Sequence, residues 1–215
     1  TGLLFTHYNQ VRDGSDGTLI SFENDFETRT APFIRLRLGL ERKNHHFSVL
    51  YAPLNLKKEV ILKRDIRFDG QDFLKGTNTT GNYTFNSYRF TYNYRFIDRP
   101  KFRLGFGVSA KVRDAGTTLS SGAISAGNKN QGFVPLINIQ SNYRFNKKFG
   151  IVLFADGLVA EQGRAEDVLL ATTCHASKDL CFQLGYRIFE GGSDGVNNYN
   201  FIFLHVASLG VNYKF

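Results

Sequence analysis

The C-terminal segment of the chain alternates apolar and polar residues with a period of two. One parity carries the apolar side chains Leu209, Val211, Tyr213 and Phe215. The other parity carries Ser208, Gly210, Asn212 and Lys214. A period of two is typical of a β-strand with one apolar and one polar face. The terminal triplet of an aromatic, a basic and an aromatic residue recurs at positions 94–96 and 143–145, where it closes two more alternating segments.

The same alternation recurs along the whole chain and predicts ten strands. They cover residues 2–11, 31–43, 46–56, 83–96, 101–113, 132–145, 149–160, 166–175, 180–190 and 200–215. A chain of 215 residues is long enough for one large β-domain. We therefore expect a single all-β domain that spans residues 1–215.

Alternation alone does not say which face of the strands is enclosed. A soluble barrel has its apolar face inside, whereas a membrane barrel turns that face toward lipid. Three features favour the membrane barrel. Aromatic residues end several strands at one level, as a membrane interface selects. The apolar faces are long, and the connections between strands alternate between short and long. A soluble lipid-binding barrel is the alternative.

The predicted connections set the topology. Four are short: Asn44-His45, Asp98-Arg99-Pro100, Asn146-Lys147-Lys148 and Ser177-Lys178. The others cover 12–30, 57–82, 114–131, 191–199 and the shorter 161–165. This rhythm predicts a closed antiparallel transmembrane β-barrel of ten strands, with short periplasmic turns and long extracellular loops. An even strand number brings both termini to the short-turn side, and closure leaves no unpaired edge in lipid.

The predicted 57–82 loop contains alternation of its own. Apolar residues keep a period of two around Leu62, Ile66 and Phe68. We therefore expect the third and fourth strands to extend beyond the membrane as a projecting hairpin. Pro53 predicts a break or a bulge near the top of the third strand.

Composition narrows the class of protein. No segment approaches the 18 or so uninterrupted apolar residues of a transmembrane helix, and the mean hydropathy of −0.26 fits a barrel in which only alternate residues meet lipid. The net charge is +8, but Lys and Arg are spread through the strands and do not form a nucleic-acid patch. Anionic lipid head groups or anionic solutes are the expected partners. The start at Thr1, without Met or a leader, favours a processed, exported product, although a trimmed chain would look identical.

Two cysteines, Cys174 and Cys181, flank the predicted Ser177-Lys178 turn. A two-residue turn there would place them opposite each other on a hairpin, a spacing that permits a cross-strand disulfide in an oxidising compartment. The alternative is two free thiols packed near the rim of the barrel. Only His175 is near enough to serve as a third ligand, so we expect no metal site.

With these features the sequence resembles bacterial outer-membrane β-barrel proteins. The resemblance rests on the terminal alternation and on the rhythm of turns and loops. It implies an outer-membrane location, contact with outer-membrane lipids and lipopolysaccharide, and recognition by the barrel-assembly machinery through Tyr213 and Phe215. Segments 162–170 and 185–192 are similar to an uncharacterised outer-membrane family, which implies no known reaction. A protein partner at the extracellular loops is a further expectation.

The parity opposite the apolar residues collects the charged candidates for a site inside the barrel. Those we single out are Arg35, Arg37, Arg89, Arg103, Lys111, Arg113, Asp156 and Arg187. Fewer acids share this face: Glu41, Asp156 and Glu166. One interpretation is a structural ladder of ion pairs that fills the lumen, because an unpaired enclosed charge is costly. The other is a positively biased conduit or pocket for small anionic solutes.

Enzymatic alternatives find little support in the residues. Lipid A 3-O-deacylases carry His and Ser two positions apart on one strand, whereas His205 and Ser208 are three apart and face opposite ways in an unbroken strand. An acidic group of Asp167, Glu190 and Asp194 at the mouth lacks the histidine of omptin-type proteases. We therefore expect no catalytic residues, no cofactor and no metal. The sequence predicts a narrow channel or binding barrel for small anionic solutes; the alternatives are a structural or partner-binding barrel with a plugged lumen, and a lipid- or peptide-acting hydrolase.

Overall fold

A computed structural model describes residues 1–161, 163–195 and 198–215. It contains fifteen strands and one four-residue helix, α1 (Phe22–Asp25). The strands are β1 (Gly2–Asp13), β2 (Ile20–Ser21), β3 (Thr30–Phe33), β4 (Leu36–Arg42), β5 (His45–Ala52), β6 (Asn55–Ile61), β7 (Ile66–Phe68), β8 (Gln71–Phe73), β9 (Asn78–Asp98), β10 (Phe102–Ser121), β11 (Ile124–Arg144), β12 (Phe149–Ala160), β13 (Gly163–His175), β14 (Leu180–Gly195) and β15 (Asn198–Tyr213). None of the described residues forms a helix that is long and apolar enough to cross a membrane.

Thirteen of the strands form one antiparallel sheet, and β7 and β8 form a separate hairpin. The hydrogen-bonded order is β2-β1-β15-β14-β13-β12-β11-β10-β9-β5-β4, with β3 beside β1 and β6 beside β9. The first and last long strands are therefore neighbours, paired from Gly2 opposite Ser208 to Asp13 opposite Asn198. The all-β class predicted from the alternation agrees with this fold.

The predicted closed barrel of ten strands is wrong. The sheet has an open path that ends at β2 and β4, and these two strands do not pair with each other in the described residues. The predicted strand 31–43 is split into β3, which pairs with β1, and β4, which pairs with β5. Because β1 begins at Gly2 opposite Phe33, no residue of β1 lies beside β4. Likewise, the predicted strand 46–56 divides into β5 and β6 on either side of Pro53.

The predicted long loop 114–131 is also wrong. β10 and β11 continue through it to Ser121 and from Ile124, and only Gly122 and Ala123 turn the chain. Gly122 has a φ of +57°, a conformation that glycine adopts without strain. The predicted loops 161–165 and 191–199 include residues 162, 196 and 197, which lie outside the described residues, and most of their other residues belong to strands. We call the loop-end part of β9, β10 and β11 the tall hairpin; it comprises residues 78–86 of β9, 114–121 of β10 and 124–131 of β11.

The two faces of the sheet differ sharply in polarity. Apolar residues of one parity are exposed on the outer face, among them Leu36 (63 %), Phe90 (50 %) and Phe133 (68 %). The sheet curls around its other face, where Arg89 and Lys111 are each only 3 % exposed. The structure therefore turns the apolar parity outward and encloses Arg89 and Lys111, in the orientation that the sequence predicts.

The apolar outer face forms a band of limited height. It runs from Tyr88 to Phe96 in β9, which is nine residues, and from Phe133 to Tyr143 in β11, which is eleven. Strands of this length span the hydrocarbon layer of a bilayer when they are tilted. Above the band, Asp114 accepts long hydrogen bonds from Asn86 (3.5 Å) and Gln131 (3.4 Å). These residues continue the outward parity, so the outer face changes from apolar to polar at one level.

Segments 14–29 and 53–77 cover the enclosed face at the loop end. Their buried side chains form what we call the apolar plug: Ile20, Phe22, Phe26, Ile66, Phe68 and Phe73. The apolar plug packs on the inner side of the tall hairpin, against Tyr83, Phe85 and Leu119. The burial of these aromatic rings fixes both loop segments on the sheet.

Surface ion pairs join the segments that carry the apolar plug. Arg64 pairs with Asp25 at 2.6 Å, and Arg67 pairs with Asp16 at 2.9 Å. The hydrogen bond from Arg67 lowers the pKa of the Asp16 carboxyl. The link is therefore complete above the ordinary carboxyl range, and it is lost as the pH falls through the lowered pKa.

Gly81 provides a test of the apolar plug. A Cβ atom at this position would overlap the ring of Phe26, so the Gly81→Ala substitution must displace that ring. We expect Gly81→Ala to destabilise the fold by about 1–3 kcal/mol. Gly157 is the matched control, because its Cβ would meet nothing closer than 3.7 Å. Thermal unfolding in micelles, followed by circular dichroism, measures both variants; equal midpoints would contradict the packing described here.

Candidate functional site: an enclosed ion cluster

Five charged side chains meet on the enclosed face, and we call them the ion cluster: Arg35, Arg89, Asp156, Asp167 and Arg187. Four of them come from β9, β12, β13 and β14, and Arg35 lies between β3 and β4. Each strand residue occupies the inward parity of its strand, which is why an alternating sequence delivers them to one place. The cluster joins β9 to β12 and to β13 across the interior, although neither β12 nor β13 is a neighbour of β9 in the sheet.

Asp167 lies at the centre of the ion cluster. Its Oδ2 accepts hydrogen bonds from Arg35 Nη1 at 2.8 Å and from Arg89 Nη2 at 3.1 Å. Its Oδ1 accepts a hydrogen bond from Arg187 Nη1. The side chain of Asp167 is 3 % exposed, so this carboxylate depends on the three guanidinium groups for its solvation.

Asp156 forms the second centre. Its Oδ2 accepts a hydrogen bond from Arg89 Nη1, and its Oδ1 accepts from Ser109 Oγ at 2.7 Å and from Asn138 Nδ2 at 2.8 Å. The network continues toward the short turns, where Asn93 donates to the amide oxygen of Asn138 at 2.8 Å. Every oxygen of this buried carboxylate therefore has a donor, as an enclosed charge requires.

Positive charge exceeds negative charge in and beside the ion cluster. Lys111 lies just above it, and its Nζ is 5.0 Å and 4.8 Å from the ring centroids of Phe85 and Phe189. Among the described residues Lys111 has no carboxylate within ion-pair distance. Arg37 lies on the same side of the sheet, with its guanidinium carbon 4.9 Å from the ring of Phe154. Three arginines, Arg37 and Lys111 thus face two carboxylates.

Several nitrogen atoms of the ion cluster have no partner in the described structure. They are Arg35 Nη2, Arg89 Nε and Arg187 Nε, all of them buried. Buried N–H donors without acceptors carry a free-energy cost. The cluster therefore keeps both a surplus of positive charge and unused donors, the two properties that an anion would complement.

Above the ion cluster the interior is apolar. Phe85 and Phe189 stack edge to face with centroids 5.4 Å apart, next to the amino group of Lys111. The apolar plug follows, with Phe22 and Phe68 fully buried. A small cavity of about 10 Å³, lined by Asn128, Asn198 and other residues, lies at this level. A water-filled passage through these levels would leave the rings exposed, whereas Phe22, Phe68, Phe85 and Phe189 are buried.

The structure brings some of the predicted site residues together and separates others. Arg35, Arg89, Asp156 and Arg187 meet in the ion cluster, with Arg37 and Lys111 beside it. Arg103 lies near the short turns, paired with Asp98 at 3.0 Å. Arg113 lies higher and donates to Asn130 Oδ1 at 2.6 Å. These two arginines do not belong to the site.

Sequence reasoning missed Asp167, which it placed in an acidic group at the mouth. The structure places this residue inward, whereas Glu190 faces outward and accepts a hydrogen bond from Tyr8. Glu166, predicted to face inward, lies opposite Glu190 on the outer face. The signal that was available is the parity shared by Ala165, Asp167 and Leu169, all buried. Leu170 on the opposite parity obscured it, because β13 is apolar on both faces.

The sequence predicts that the two cysteines lie opposite each other, but the register of β13 and β14 differs from that prediction by one residue. Cys174 lies opposite Phe182, and Cys181 lies opposite His175. Adjacent positions on a strand point to opposite faces, so Cys174 and Cys181 do not face each other. Both thiols are free.

The other predicted features are distributed as follows. Tyr213 and Phe215 are exposed at the end of the chain, and their role as an assembly signal stays a prediction. His205 faces outward and hydrogen-bonds to the hydroxyl of Tyr186, so it does not meet Ser208 on the opposite parity. No group of three or more metal-ligating side chains occurs in the described part of the chain.

Comparison with known proteins gives little further guidance. No family model and no curated protein matches the sequence. Among solved structures, similarity is found to the toluene transporter TodX of Pseudomonas putida, with 7 % identity over 100 % of this chain and 88 % of that chain. The TM-score is 0.33. A likeness this weak does not indicate a shared activity.

Asp167 offers the sharpest test of the ion cluster. The Asp167→Asn substitution keeps the shape of the side chain, removes the carboxylate of Arg35 and Arg187, and leaves Arg89 with Asp156 alone. We expect a loss of about 3–5 kcal/mol in the free energy of unfolding, as for other broken buried ion pairs. Asp98→Asn is the control, because Asp98 pairs with arginines at the exposed turn end and should cost at most about 1 kcal/mol. Denaturant unfolding in micelles measures both, and equal losses would contradict a central role for Asp167.

Proposed function

We propose that the chain is an integral protein of the bacterial outer membrane. The observation that carries the proposal is the inverted polarity of its sheet, with an apolar outer band and a charged enclosed face. In water such a fold would expose a continuous apolar surface and bury its charges, and both are unfavourable. In a bilayer the same arrangement places each group in its preferred surroundings. The height of the band, nine to eleven residues, matches the span that a tilted strand needs.

The interior favours a structural or partner-binding role over an open pore. The ion cluster fills the middle of the enclosed space, and the apolar plug covers the loop end. The tall hairpin and the segments that carry the apolar plug extend beyond the outer band, where they are available for contact with another molecule. We therefore propose that the protein acts through this projecting end, while the ion cluster holds the sheet in its curled form.

A second candidate is the binding of a small anionic solute inside the sheet. The surplus of positive charge around Lys111 and the unpartnered nitrogens of Arg35 and Arg187 favour it. Loss or displacement of the apolar plug would be needed before a solute could reach them. This candidate corresponds to the binding barrel for small anionic solutes that the sequence predicts.

The membrane proposal predicts a difference between two positions of one strand. Ile137 is 57 % exposed in the middle of the outer band, and Gln131 lies on the same face of β11 above it. We expect Ile137→Arg to reduce the free energy of unfolding in lipid vesicles by about 2–4 kcal/mol, and Gln131→Arg to reduce it by about 0–1 kcal/mol. Equal effects of the two substitutions, together with a protein that stays monomeric in water without detergent, would overturn the membrane assignment.

The filled interior predicts the result of a conductance measurement. Purified protein incorporated into planar bilayers should give no current steps at any salt concentration, because side chains rather than water occupy the enclosed space. Discrete steps that disappear when Lys111 is replaced by Ala would contradict the plugged form and favour passage of anions. The Arg103→Ala variant controls for a general loss of positive charge, since Arg103 lies outside the ion cluster.

A further inference from the structure

A second, larger cavity lies on the outer face of the sheet and takes no part in the ion cluster. Its volume is about 540 Å³, within the range of small-ligand sites. The side chains that line it and carry its chemistry are Tyr8, Gln10, Arg164, Asp194, Tyr199 and Phe201. They come from β1, β13, β14 and β15, and Val159 of β12 closes one side.

The cavity begins where the apolar band ends. Glu190 lies opposite Phe203 on β15 and opposite Glu166 on β13. Two residues lower, Ile188 lies opposite Val168, and both belong to the band. The cavity therefore opens outward at the level at which a bilayer changes from acyl chains to head groups.

Aromatic rings form the floor of the cavity. Tyr199 and Phe201 lie with their ring centroids 5.0 Å apart. Gly192 lies opposite Phe201, and a Cβ atom at Gly192 would overlap the Phe201 ring. The missing side chain thus allows that ring to lie across the backbone of β14 and to present its face to the cavity.

The polar side of the cavity is rich in acceptors. Glu190 accepts a hydrogen bond from the Tyr8 hydroxyl at 2.5 Å and another from Arg164. Arg164 is therefore paired with the Glu190 carboxylate, and its guanidinium carbon lies 6.0 Å from the ring centroid of Phe201. Asp194 and Glu161 add carboxylates to the lining without a cation of their own among the described residues. Arg12 lies beside the floor, with its guanidinium carbon 5.9 Å from the ring centroid of Tyr199. The carboxylates of Glu161, Glu190 and Asp194 still outnumber Arg12 and Arg164, which disfavours a phosphate group and favours hydroxyl donors.

We propose that this cavity binds the neutral saccharide head group of a lipid in the surrounding leaflet. Sugars offer hydroxyl donors for the carboxylates and Gln10, and apolar C–H faces for the rings of Tyr199 and Phe201. A lipid anchored beside the band presents its head group at the height of the cavity. The assignment of the source rests on the membrane location proposed above, whereas the preference for a saccharide rests on the cavity alone.

A binding measurement in zwitterionic micelles tests the preference. The probes are a neutral alkyl glycoside and an alkyl phosphate of the same chain length, and native mass spectrometry reports the bound fraction. We expect the glycoside to bind at least about ten-fold more tightly than the phosphate. We expect Phe201→Ala to weaken the binding of the glycoside about ten-fold, which corresponds to the loss of one aromatic contact. Phe133→Ala, an exposed outward position on β11, should leave it unchanged.

The outcomes separate this proposal from the membrane proposal. Stronger binding of the alkyl phosphate, or equal binding by Phe201→Ala and the unchanged protein, would overturn the saccharide site whatever the Ile137 and Gln131 variants show. Gly192→Ala provides a second variant. Its Cβ would overlap the backbone oxygen of Asn200 as well as the Phe201 ring, so it moves the ring and the adjoining backbone of β15 without removing the ring, and it should also weaken glycoside binding. Unchanged binding by Gly192→Ala would contradict the aromatic floor. Thermal midpoints equal to that of the unchanged protein establish that each variant is folded.

Discussion

The carboxylate of Asp167, enclosed by three guanidinium groups, is the interaction on which the rest of this structure depends. A sheet with apolar residues outside must keep its charges inside, and inside there is no bulk water to solvate them. Each enclosed charge therefore needs a partner on another strand. Arg89 of β9 pairs with Asp156 of β12 and Asp167 of β13, and neither of these strands is a neighbour of β9 in the sheet, so this pairing also fixes how far the sheet curls.

The features above the ion cluster follow from the same constraint. The enclosed face becomes apolar toward the loop end, where Phe85 and Phe189 lead into the apolar plug. The tall hairpin gives the apolar plug a surface on which to pack, and its outer side carries polar residues such as Asn86 and Gln131. One sheet thus has an enclosed face that changes from charged to apolar and an outer face that changes from apolar to polar. The two changes occur at similar heights, since both follow the end of the proposed hydrocarbon layer.

The sequence predicts the parity of the strands well, because a period of two survives wherever one face is consistently apolar. Phe90 and Arg89 illustrate this, since both lie where the alternation placed them. The open path of the sheet was not predictable, because alternation does not say which strand residues find a partner. The sequence predicts a loop over residues 114–131 from the rhythm of connections, whereas 114–121 and 124–131 continue β10 and β11, with Ala115 and Leu119 facing inward.

The candidate site was predictable only in part. Arginines stand out against Leu and Phe on the opposite parity, so Arg35, Arg89 and Arg187 could be found from the sequence. Asp167 could not be placed, because its strand is apolar on both faces. The register of the β13–β14 turn was likewise out of reach, since a shift of one residue separates Cys174 from Cys181 without changing the local pattern.

Labelling from within the bilayer tests most directly whether the apolar face of the sheet meets lipid and the charged face is enclosed. A lipid-soluble photoreactive carbene, dissolved in the acyl-chain region of vesicles that contain the protein, marks the side chains it meets, and mass spectrometry locates them. We expect label on Leu38, Phe90 and Ile137 and none on Arg89, Lys111 or Asp167. Label on the charged residues, with the three apolar residues protected, would show that the faces are reversed and that the apolar band does not meet lipid.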